Sequence, residues 1–174
     1  MEIKFGSHIL EINSEGQAKV DRRSEFERIS EETGEAFIWT IETYDYSAGD
    51  TILLVRNDHA SKKLRIHKIV LHGDTETEVE IHIPTAAFTI AGTAVIGEAL
   101  NRVFDKVSTT YATAKANETG NTQGDVIERV RIKADTDYSV SFRGALILAS
   151  EQAVGIDFVT VGAEAHVSIW GYFK

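Results

Sequence analysis

Six histidines, at positions 8, 59, 67, 72, 82 and 166, are the side chains best suited to hold a metal ion or carry a proton near neutral pH. Their spacing supports neither role. No HExxH pattern occurs, so no helix sets two imidazoles one turn apart. His67 and His72 stand five apart in strand-like sequence, which puts them on opposite faces unless a bulge intervenes. His82 falls on the solvent side of its strand by parity. The expectation is ordinary surface histidines, with no metal and no cofactor. The acidic groups Asp45/Asp50, Asp74/Glu76/Glu78 and Asp135/Asp137 lie at or beside turns, where an aspartate bonds the nearby backbone. Two of them at glycosidase separation would be an enzyme, but nothing in their surroundings marks a raised pKa. Asp135/Asp137 lacks the twelve-residue calcium-loop pattern. No serine sits in GxSxG, no cysteine exists to act as a thiol nucleophile, and neither GxGxxG nor a P-loop occurs. Asn117-Glu118-Thr119 matches a glycosylation triplet, which arises often by chance. The side chains therefore point away from an enzyme.

The elements that position these residues read as strands. With 174 residues, 43% of them apolar, the chain is sized for one domain with its own core. A net charge of −9 and no long Lys/Arg run disfavour nucleic-acid binding. Residues 1–12 carry Glu2, Lys4, His8 and Glu11 where a secretory leader needs an apolar stretch, so no leader is expected. No run approaches the ~20 apolar residues of a membrane-spanning helix.

Residues 1–35 form a separate arm in this reading. Ile3/Phe5 and Ile9/Leu10/Ile12 are short strand material, and Gln17–Arg22 continues as a possible strand. Ser24 with Glu27 makes a capping box, Phe26 and Ile29 share one helical face, and Gly34 stops the helix. The apolar residues of the arm are too few for a core. It reads either as a linker with a fraying helix or, as we favour, as an arm that docks on a neighbouring subunit.

Residues 36–174 then form a β-sandwich. Phe37, Trp39 and Ile41 alternate, Ser47–Asp50 turns, and Ile52–Val55 is an apolar run, which together predict a hairpin. In Lys62–Gly73, Leu64 and Ile66 are out of phase with Ile69 and Leu71, which calls either for a strand covered on both faces or, as we favour, for a bulge near His67-Lys68. Thr75–Ile83 is a clean strand, with Val79, Ile81 and Ile83 inward, ended by Pro84. Between 85 and 124, Leu100, Val103, Phe104 and Val107 have helical spacing, so a short helix and an irregular loop both stay open; Thr110–Ala116 is strand-like. Val130 and Ile132 share one face of the next strand. Tyr138, Val140 and Phe142 alternate, Ala145–Ala149 reads as a buried run, and Val154, Ile156 and Phe158 form another inward face. Val167, Ile169, Gly171 and Phe173 close the chain as a strand placed within the sheet. Eight or nine strands with turns every ~8–12 residues predict an all-β, antiparallel, jelly-roll-like sandwich with one or two short helices. Trp39 belongs to the core by parity. Trp170 and Tyr172 face outward, towards a subunit contact rather than a sugar.

Several stretches resemble a group of bacteriophage virion proteins: INSEGQAKV (12–20), EAFIWTIETYDYSAGDTILLVRND (35–58), residues 74–84, Leu100-Asn101-Arg102, residues 117–120 and GALILASEQAVGIDFVTVGAEAHVSIWGYF (144–173). The resemblance covers most of the chain from Ile12 onward and rests on no catalytic motif. It implies a non-enzymatic structural protein of the virion, made in the host cytoplasm. The role expected is that of a capsid decoration or cement protein, a small homo-oligomer such as a trimer, bound to the major capsid protein or to head–tail components. The expected subunit contacts are Ile3, Phe5, Ile9, Leu10, Ile12, Phe26, Ile29, Trp170 and Tyr172. The alternative is a receptor- or glycan-binding module of a tail fibre or spike.

Overall fold

The computed structural model describes residues 2–5, 8–12, 18–20, 23–47, 50–85, 88, 92–118 and 123–174. Three short strands, β1 (Glu2–Phe5), β2 (His8–Ile12) and β3 (Ala18–Val20), pair antiparallel in that order. Helix α1 (Glu25–Glu32) follows. Its cap is the capping box expected: Glu27 N donates to Ser24 Oγ and Ser24 N donates to Glu27 Oε2. Gly34 stands just past the helix at φ +69°, where it donates to the carbonyl of Ile29.

The body is built from β4 (Ala36–Tyr46), β5 (Thr51–Asn57), β6 (Leu64–Gly73), β7 (Thr77–Ile83), β8 (Thr93–Val95), β9 (Glu98–Ala99), β10 (Ala112–Glu118), β11 (Asp125–Ile132), β12 (Tyr138–Leu148), β13 (Ala153–Phe158) and β14 (Gly162–Phe173). They form two antiparallel sheets, ordered β12-β6-β14-β4-β9 and β11-β7-β13-β5-β10-β8. Leaving out β8 to β10, each sheet holds four strands, and the chain changes sheet at every step except β7 to β11, which pair side by side in one sheet. This is jelly-roll wrapping, in which the first and last strands of the body lie side by side. The segment between β7 and β11 adds β8 and β10 to one sheet and β9 to the other.

The inward parity sets are the core. Phe37, Trp39, Leu53, Val55, Ile66, Ile69, Val79, Ile81, Ile156, Phe158, Val167, Ile169 and Phe173 are buried in one cluster between the sheets. The bulge in β6 lies where its phase conflict predicts. Residues 66 and 68 pair with consecutive residues 171 and 170 of β14, which leaves His67 as the extra residue. Beyond the bulge His72 shares the outer face with His67.

Two expectations are corrected, and one open alternative is decided. β4 and β5 are not a hairpin; they belong to opposite sheets, and β4 pairs with β14 while β5 pairs with β10 and β13. Ala145–Ala149 is not a buried run: β12 alternates, with Leu146 and Leu148 turned to the core and Ala145 and Ile147 exposed on the outer face. Of the short helix and the irregular loop left open for residues 100–107, the loop is found: there is no α-helix, only a 3-10 turn at Arg102–Phe104, with a second just beyond at Ser108–Thr110.

Candidate functional sites

The outer face of the β12-β6-β14-β4-β9 sheet divides into two halves. On one half lies α1. Phe26 stacks on the His67 ring at 4.5 Å and meets Tyr172 and Trp170 at 6.1 Å, and Ile29 is buried with it over Ala36 and Tyr172. Lys68 Nζ sits 3.7 Å from the centre of the Trp170 ring. Phe26, Ile29, Trp170 and Tyr172 thus meet one another within this chain, and Tyr172 is only 3% exposed. Packing attaches the helix to the sandwich. The side chains of Ile3, Phe5, Ile9, Leu10 and Ile12 lie outside the described residues; their backbones form β1 and β2.

The other half carries a histidine–carboxylate cluster. Strand pairing puts Glu42 of β4 opposite His166 of β14, and His166 opposite His72 of β6. Glu164 is two residues before His166, hence on the same face. His166 Nε2 lies 2.5 Å from Glu164 Oε1 and 3.8 Å from Glu42 Oε1. Asp137, just ahead of β12, places Oδ1 3.0 Å from His72 Nδ1. The two imidazoles meet edge to face with centres 5.3 Å apart. Val70, His72, Asp137, Glu164, His166 and Ser168 line an open depression of about 310 Å³ over this cluster. Sequence reading missed the arrangement, because positions 42, 72, 137 and 164–166 come together only through strand order. The phase conflict in β6 was the one local signal, since it fixes which way His72 points.

His82 corrects another expectation. Parity does put it on the outer face of its sheet, yet it is fully buried. Its Nε2 is 3.1 Å from Asp157 Oδ1, and Gln123 joins Asp157 to Glu80 beside it. Phe88 lies over Arg56 and Lys115 of that face. Gln123 and Phe88 therefore lie over a surface that parity alone would leave wet.

The third feature is an apolar strip on the inserted segment, beside the short strands β8 and β9. Ile96 (64% exposed), Val103 (87%) and Val107 (53%) face solvent, with Leu100 and Phe104 partly exposed between them. The strip is held from below. Asn101 caps the first 3-10 turn and donates to the carbonyl of Ser30 in α1, while Leu100 N donates to the carbonyl of Ala36.

No family model, curated protein or solved structure matches the chain. Among the described residues, no helix is long and apolar enough to cross a membrane.

Proposed function

We propose that this protein is a non-enzymatic assembly protein of a bacteriophage particle, a decoration or cement protein that binds other virion proteins through protein–protein contacts. The observation that carries the reading is the anchored apolar strip Ile96–Val107. Exposed apolar surface concentrated in one short segment is what a protein contact requires, and its mounting on α1 and β4 lowers the entropy cost of binding. The resemblance to phage virion proteins and the jelly-roll body support the same reading. The glycan-binding alternative gains nothing from Trp170, whose ring is covered by Lys68 and neighbours Phe26 rather than standing free as a sugar platform.

The test is sedimentation of the purified chain alone and with particles of the resembling phage type. Expected is self-association or particle binding that Val103→Asp with Val107→Asp abolishes while the unfolding midpoint stays unchanged. A double variant that associates like the parent would overturn the reading, as would a parent that neither self-associates nor binds particles.

A further inference from the structure

Glu42, Glu164 and His166 bring one imidazole nitrogen and two carboxylate oxygens within 4.8 Å of one another. We propose that these three side chains, with His72 beside them, bind a divalent first-row transition ion, zinc in the first instance. The inference is independent of the assembly role.

Four observations carry it. The first is rigidity: the row Glu42–His166–His72 crosses three adjacent strands, so backbone pairing fixes where each side chain starts. The second is spacing. Ligand bonds of about 2.0–2.2 Å at tetrahedral angles separate donor atoms by about 3.4 Å. The 3.8 Å gap from His166 Nε2 to Glu42 needs to close slightly, and the 2.5 Å gap to Glu164 needs to open by about 1 Å. The His166 imidazole and the Glu164 carboxylate are both partly exposed, and a turn of these two side chains makes both adjustments. The third is the neighbouring pair. Asp137 on His72 Nδ1 is a carboxylate–histidine pair that orients the His72 ring, which meets the His166 ring edge to face. The fourth is access, since the depression is open and a water can complete the coordination. An imidazole in the set selects zinc, nickel, cobalt or copper over calcium and magnesium, which take oxygen alone. Three carboxylates around two imidazoles also give the place a negative charge that a cation relieves.

The experiment uses the untagged full chain, stripped of metal by chelator dialysis and titrated calorimetrically with zinc chloride. Expected is one zinc per chain, an affinity reduced about tenfold or more in His166→Ala and in Glu42→Gln, and no change in Glu76→Gln. Cobalt(II) added to the parent should give visible absorption that His166→Ala loses. Metal-free unfolding midpoints of the variants are measured alongside; should His166→Ala unfold, Glu42→Gln, at an exposed position, carries the test. Absence of saturable one-to-one binding in the parent overturns the proposal. Parental affinity in either variant does so too.

Discussion

Asn57 is fully buried, and its amide joins three stretches of backbone. Its Nδ2 donates to the carbonyls of Lys62 and Leu148, and its Oδ1 accepts from His59 N. Asn57→Leu strands these groups without partners and is expected to cost about 3 kcal/mol. Asn57→Asp turns a carboxylate on two carbonyl oxygens and should cost more; urea unfolding measures both, and a neutral Asn57→Leu would refute the account. Gly155 is the counterpart in space-filling. A Cβ there would stand 2.5 Å from His82 Nε2, inside a buried network that has nowhere to move. Gly155→Ala should therefore destabilise by about 1–3 kcal/mol although its backbone needs no special φ. At the surface, hydrogen bonds from Arg28 and Lys174 hold the Glu25 carboxyl at about 2. That folded value lies below the ordinary 4.5, so the contribution is complete above about pH 4.5 and is lost as pH falls towards 2. Lys174→Ala should move the Glu25 titration upward in a carboxyl NMR experiment; an unchanged curve would remove Lys174 as a cause.

At the scale of elements, α1 is two turns long and too short to persist unaided. It is kept by its cap and by Phe26 and Ile29 on the sheet. Ser24→Ala should cost about 1 kcal/mol and Phe26→Ala about 3 kcal/mol. Amide exchange in residues 25–32 is the readout, because both losses fall there before the core feels them. The bulge in β6 enters this docking, since it turns His67 outward under Phe26. Burial first, then the Lys68 charge and more weakly Arg143, lower the His67 pKa, with Glu27 opposing. A folded value below the unfolded one means the imidazole's contribution is present above about pH 6.5 and is lost as pH falls through the folded value. Exchange protection of α1 should accordingly drop on mild acidification, and His67→Asn should flatten that dependence. Equal pH dependence in the variant would rule His67 out.

For the whole molecule, β14, the last strand of the body, lies between β6 and β4 at the centre of its sheet. The body cannot complete that sheet before its last strand is added. Deletion of residues 1–22 leaves Ser24 and α1 in place and should keep the parental unfolding midpoint. Deletion of residues 1–34 strips α1 from Tyr172 and Trp170 and should lower it by several degrees. Only the shorter deletion therefore tests whether the first strands serve assembly; the longer one mixes assembly with the loss of a packed face. Equal midpoints for the two deletions would show that the helix contributes nothing to the fold.

Local covalent geometry made part of this readable without the fold. A strand's period of two assigns Phe37, Val79, Ile156 and Val167 to the core, and the broken period in Lys62–Gly73 locates the bulge at His67. Ser24, Glu27 and Gly34 mark the ends of α1 because caps act within four residues. Strand partners are a different matter. A strand–turn–strand signal is the same whether the second strand pairs with the first or crosses to the other sheet, so β4–turn–β5 reads as a hairpin and folds as a corner. Burial of an outward face depends on what later lies over it, which hides His82, covers Tyr172 and leaves Ile147 exposed. The Glu42–His166 pairing spans more than a hundred residues and exists because β14 inserts beside β4. The sequence by itself thus determined parity, bulge, caps and the all-β class. Only the tertiary structure decided which strands are neighbours, and with them the one cluster able to hold a metal ion among the described residues.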